Sequence, residues 1–172
     1  MKIQRYALIT LSIILMPAVF VTATEPVNAS KLLTLLPAPP AGWTAEEAED
    51  LTLPPAAATA AGVNMTHVVG NYRKGEATAT VGLFDAVANP AFSTATTQSW
   101  SMPAMDTDMS TKSVTMDGYP GFETYAAGRK YGTLWIMVEK RFFLQIEAKN
   151  VEAAEVQAWA KRVDLKKLAA LK

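Results

Sequence analysis

Met102, Met105 and Met109, spaced three and four apart, carry the sharpest chemistry in this 172-residue chain. Thioether sulfur is a soft ligand, and exported proteins that meet Cu(I) use methionines at such spacing. On a regular helix the three would share one face, with Met65 and His67 as further candidates nearby. Against this stands the ordinary use of methionine as a flexible filler of irregular gaps beside a sheet. Pro103 interrupts the spacing, and Asp106 and Asp108 are hard ligands ill-suited to Cu(I). The expectation is core filler and no cofactor, with a Cu(I) site at Met102, Met105 and Met109 as the alternative.

Other chemistries are argued down from residue types. There is one histidine, His67, and no cysteine, which removes disulfides, thiol catalysis and thiolate metal sites. No G-x-S-x-G elbow, H-E-x-x-H pair, EF-hand pattern or glycine-rich phosphate loop occurs. His67 reads as a half-exposed sheet residue opposite Gly82. Asp106 and Asp108 lie in a Ser/Thr-rich loop, where carboxylates cap and turn. Glu46, Glu47, Glu49 and Asp50 read as a solvated face, and Lys161, Arg162, Lys166 and Lys167 as cations late in helices, complementing the dipole. The expectation is a chain that binds and does not catalyse.

The first segment speaks to location. Lys2 and Arg5 precede an apolar run, Tyr6 to Val21, shorter than the ~20 residues of a spanning helix. Val21-Thr22-Ala23 and Val27-Asn28-Ala29 each put small residues at the −3 and −1 positions of a cleavage site. The pattern predicts a cleaved leader over residues 1–23 and a periplasmic or secreted protein with no stable membrane insertion. Removing those residues leaves fourteen cationic and sixteen acidic side chains, a net charge of −2. Such a balance gives no reason to expect nucleic acid as a partner.

The elements that must position these residues centre on Val114 to Lys149. Asp117-Gly118 between β-branched and aromatic runs predicts a type I′ hairpin, placing Met116 opposite Tyr119 and Lys112 opposite Glu123. Pro120 requires an edge strand or a nitrogen pointing off the sheet. A Glu139-Lys140 turn predicts Trp135, Met137, Phe142, Leu144, Ile146 and Ala148 on one face. Leu134, Ile136, Val138 and Phe143 then take the other, and Thr133 to Val138 is central because both its faces are apolar. A hairpin around Lys74-Gly75 groups Val68, Tyr72, Ala79, Val81 and Leu83. Helices are predicted at Ser30 to Leu36 with Ser30 as cap, from Asn89-Pro90 onward carrying Phe92 and Trp100, at Val151 to Val163, and after Asp164. Pro54 to Gly62 reads as a connecting loop, and Trp43 as a plug laid on the core.

Strand-strand, helix, four strands, helix, in an exported chain of this length, resembles the Mog1/PsbP-like fold group. The segments LPAPPAGWTAEE, MDGYPGFETY, VEKRFFLQIEAK and DLKKLAALK are similar to those of small exported bacterial proteins of unknown function. The resemblance implies an α+β sandwich and a protein that binds others, as accessory subunits and import factors of that group do. It carries over no binding residues. The expected layout is a leader at 1–23, an extended Pro/Ala-rich segment with a short helix at 24–62, and an α+β domain at 63–172. That domain holds an antiparallel sheet of about six strands flanked by helices. The function expected is an accessory or assembly module of the cell envelope whose partner is another envelope protein or a small apolar ligand. A periplasmic Cu(I)-binding protein is the alternative.

Overall fold

The Asp117-Gly118 turn sets the register of everything beside it. In the computed structural model, which describes residues 25–101 and 108–171, β5 (Met109–Met116) and β6 (Tyr119–Ala126) pair as the turn dictates. Met116 faces Tyr119, Val114 faces Gly121 and Lys112 faces Glu123. Asp117 and Gly118 both take positive φ, 51° and 87°, as a type I′ turn demands. An added Cβ at Gly118 meets nothing within 4 Å, so a side chain there strains only the backbone. Gly118→Val is expected to cost ~1–2 kcal/mol in denaturant unfolding, and an unchanged midpoint would refute the turn. The leader, together with Met102, Met105 and Asp106, lies outside the described residues.

Among the described residues the sheet is antiparallel throughout its pairings and larger than expected, with eight strands and not about six. The full-length strands run β3 (Thr66–Lys74), β4 (Ala77–Asp85), β8 (Phe142–Lys149), β7 (Tyr131–Val138), β6 and β5 across the sheet. The two extra strands, β1 (Thr44–Ala45) and β2 (Glu49–Asp50), both pair with β3. Each is two residues long and fully exposed, so neither carries the alternation that marks a strand in sequence. β6 lies inside the sheet, not at its edge. Its proline is tolerated because pairing with β7 begins only at Gly121, and Pro120, in a non-hydrogen-bonded position opposite Thr115, points its nitrogen off β5.

The β7–β8 register differs from the expected one by one residue. Val138 pairs with Phe142 and Trp135 with Gln145, so Leu134, Ile136 and Val138 share a face with Phe142, Leu144, Ile146 and Ala148. Trp135 and Met137 share the other with Phe143. The cause is Arg141, an extra residue after Glu139 and Lys140, which both sit at φ 53°. The Arg141 amide closes the turn onto the Val138 carbonyl at 3.1 Å while Phe142 takes the ladder position. Such a bulge inverts every side chain beyond it. At the other hairpin the turn is Gly75-Glu76, a two-residue shift that preserves the faces. His67 therefore lies opposite Phe84, not Gly82.

Helices cover both faces unequally. On the main core face lie α4 (Ala153–Ala160), α5 (Leu165–Ala169) and α1 (Ala29–Leu33). Val156, Trp159, Leu165, Leu168 and Leu32 are buried there against the Leu/Ile/Val face of β4, β8 and β7. The Asp164 carboxylate caps α5 through the Lys167 amide at 3.0 Å. Trp43 lies edge-on to Trp159 with ring centroids 5.0 Å apart. The stiff proline segment before it is tied down by the Tyr72 hydroxyl, which donates to the Pro37 carbonyl at 2.7 Å; burial pushes that phenol up to about 12. Asn28, not Ser30, caps α1, accepting from the Ser30 amide at 2.9 Å. Pro54 to Gly62 is not a loop: α2 (Pro55–Ala61) starts on proline and ends on Gly62 at φ 64°. Its run of alanines has the highest helix propensity of any residue type. On the opposite face α3 (Pro90–Ser99), capped by Asn89, lays Phe92 on a smaller cluster of Phe84, Phe143, Trp135 and Met137. Trp100 follows α3 half-buried and belongs to neither cluster.

Candidate functional site

The methionines are placed by the sheet register. Met109 opens β5 on the face shared with Trp135 and Met137, opposite Ala126, which in turn faces Tyr131. Met137 and His67 lie at the other end, through the Met137–Phe143, Phe143–Phe84 and Phe84–His67 pairings. Six residues of β7 separate the two ends, about 20 Å along the strand. Met65 packs with Met137 against the aromatic cluster, far from Met109. Among the described residues no three His, Asp or Glu side chains converge as a metal site.

His67 is half-buried and stacked on Phe84, with centroids 4.0 Å apart and planes 12° from parallel. Burial lowers its pKa, and the nearby Asp50 carboxylate offsets part of that. Unfolded His67 titrates near 6.5 and folded His67 lower, so the unfolded chain takes up the proton first as pH falls. The linked stability is complete above about pH 6.5 and is lost as pH drops through the folded value. His67→Phe is expected to flatten urea-measured stability in that window; an unaltered slope would exclude His67 as its source.

Among the described residues two carboxylates are buried, Asp85, which the sequence reading does not single out, and Glu123, which it pairs with Lys112 without its burial. Asp85, fully buried, holds Arg141 in a two-pronged pair, with Nε at 2.9 Å and Nη2 at 2.6 Å. It also accepts from the Val27 amide at 2.8 Å and the Val87 amide at 3.1 Å. Its signal was an acid ending the apolar run VGLF, where a solvated side chain has no room. Glu123, 2% exposed, accepts from Lys112 Nζ at 2.9 Å and from Gln157 Nε2 at 2.6 Å. The Lys112–Glu123 pairing was legible; the α4 glutamine that completes it was not. Both oxygens of each carboxylate accept hydrogen bonds from side chains or backbone of the fold.

Among the described residues the edge of β5 is left without a strand partner. In a two-residue hairpin the pair flanking the turn is hydrogen-bonded and alternate pairs are not. Counting from Met116 opposite Tyr119, Val114 and Lys112 aim their backbone groups at β6. Thr115, Ser113 and Thr111 aim theirs outward. β5 ends the strand order, and these three residues are exposed, so their N–H and C=O groups meet no strand among the described residues. Beside the strand on the core face, a groove of about 500 Å³ is lined by Val114, Met116, Gln157 and Lys161. α4 packs chiefly on β8, β7 and β4, and Val114 and Met116 are only partly buried at the margin of the core.

A second cleft, about 580 Å³, runs between α2 and the segment before α1 and includes Val27, Leu53, Ala58, Met65 and Thr66. Leu51 and Leu53, exposed at 46% and 42%, are at this end of the molecule. No helix among the described residues is long and apolar enough to cross a membrane. Comparison with protein-family models, curated proteins and solved structures returns no match to this chain.

Proposed function

We propose that this chain is an exported, non-enzymatic binding domain of the Mog1/PsbP-like kind that accepts an extended segment of another envelope protein along β5. The observation that carries this is the asymmetry of the sheet's two edges. Proteins blunt free edges with short strands, proline, bulges or covering loops, because an open ladder recruits other chains. Here β3 is blunted by β1 and β2 and by the Glu46 and Leu51 amides, which donate to the Asn71 and His67 carbonyls at 2.9 Å and 2.8 Å. Among the described residues β5 runs for eight residues with no proline, bulge or covering strand, and Lys112 is its one charged side chain. Strand addition takes affinity from main-chain hydrogen bonds and selectivity from pockets for alternate side chains. The groove lined by Val114, Met116, Asp117, Gln157 and Lys161 supplies such a pocket, part apolar and part polar, beside the incoming strand. The leader-like first segment supports the envelope as the place where this happens.

Ser113→Pro tests the reading, since it deletes an outward N–H and no bond to β6. The variant is expected to melt within a few degrees of wild type while losing the partner that wild type retains from envelope extract. In the wild-type complex the Thr111, Ser113 and Thr115 amides gain hydrogen-exchange protection. A partner held equally by the variant overturns the edge as the site. A concentration-dependent dimer broken by Ser113→Pro would make a second copy the occupant. A small apolar ligand filling the groove without edge protection would remove the protein partner from the account.

A further inference from the structure

We infer that leader removal cuts the Ala23–Thr24 bond and not the Ala29–Ser30 bond, because residues 25–29 are a built part of the folded domain. The inference rests on the export reading above. Both candidate sites carry the Val-x-Ala pattern. The fold separates them.

Val27 is held at both ends of its backbone by buried side chains. Its amide donates to Asp85 Oδ2 at 2.8 Å, and its carbonyl accepts from the Thr66 hydroxyl at 2.6 Å. Asp85 and Thr66 are 0% and 4% exposed, so both bonds are made inside the fold and satisfy buried polar groups. The Val27 and Ala29 side chains are buried in the main core. The Glu25 carbonyl receives the far end of the Arg141 guanidinium at 3.5 Å. Asn28 caps α1 through the Ser30 amide, and its carbonyl accepts from the Lys31 amide at 3.0 Å.

A cut after Ala29 deletes all of this. The Asp85 carboxylate loses an amide donor, the Thr66 hydroxyl loses its acceptor, and the main core loses the Val27 and Ala29 side chains. α1 loses its cap and gains an ammonium group at Ser30, on the helix end whose dipole repels positive charge. A cut after Ala23 deletes none of it.

The full chain, produced with its own first segment in a Gram-negative host, is analysed by intact mass after fractionation. The expected periplasmic species begins at Thr24. A species beginning at Ser30 overturns the inference and leaves export standing. An unprocessed chain defeats the export reading, and the inference with it. A second measurement is independent of processing: chains produced from Thr24 and from Ser30 are compared by thermal unfolding. The shorter chain is expected to lose its cooperative transition or to melt on the order of 10 °C lower. Equal midpoints would show that residues 25–29 are dispensable and overturn the argument.

Discussion

Asp85→Ala is expected to destabilise the domain by ~3–5 kcal/mol, the usual cost of breaking a buried ion pair from one side. The loss is large because Asp85 joins three separate pieces of chain. It holds Arg141 from the β7–β8 loop, the Val27 amide from the N-terminal segment and the Val87 amide after β4. Alanine leaves a guanidinium only 17% exposed without its counter-charge, and two amides without an acceptor. Asp85→Asn keeps the shape but cannot accept from both amides and face two guanidinium donors, so it should recover little. The double variant Asp85→Leu/Arg141→Met removes both charges and should lie well above the additive expectation, which is the signature of coupled partners. Guanidinium or urea unfolding measures all three. A single-variant loss below ~1 kcal/mol would reduce the pair to a surface ornament.

Trp159→Ala should cost as much, ~3–5 kcal/mol, by a different route. The indole is 1% exposed and lies between Trp43 and Tyr72, with centroids 5.0 Å and 4.5 Å away. Truncation opens a cavity beneath α4 that these rings cannot fill together. Trp159→Phe is the informative comparison. The Trp159 Nε1 has no hydrogen-bond partner among the described residues, so phenylalanine discards a buried donor whose desolvation is uncompensated. That gain offsets part of the lost volume, and a cost of only ~1 kcal/mol is expected. A phenylalanine variant as unstable as the alanine one would mean that the indole nitrogen is satisfied after all.

How far the sequence reveals this fold depends on where the decisive contact lies. Asp117-Gly118 names its own turn, and the whole β5–β6 register follows from local chemistry. The Asn89-Pro90 helix start and the Asp164 cap are equally local. The β7–β8 register was not legible, because the one-residue shift is enforced by Arg141 reaching a carboxylate 56 positions away. Without that partner, Glu139-Lys140 offers no reason to adopt two left-handed residues. The two-residue strands β1 and β2 are too short for a period to appear. The loop expected at Pro54 to Gly62 rests on its Ala- and Pro-rich composition, whereas Pro55 stands at the permitted first position of a helix. The open edge of β5 could not be seen from composition, since being last in a sheet is a property of topology.

The pairing of β4 with β8 also governs how the molecule comes together in time. β3–β4 and the β5-β6-β7-β8 meander are each made of neighbours in sequence, so both can begin to form as local hairpins. The seam between them, from Thr78 opposite Lys149 to Asp85 opposite Phe142, requires the intervening chain to close as one long loop, the slow kind of event in sheet proteins. The main core has strands from both sides of that seam and is completed only when it shuts. The Asp85–Arg141 pair sits at one end of the seam, which makes it a latch between two folding units, and its removal should leave early hairpin formation untouched while slowing or undoing the final docking.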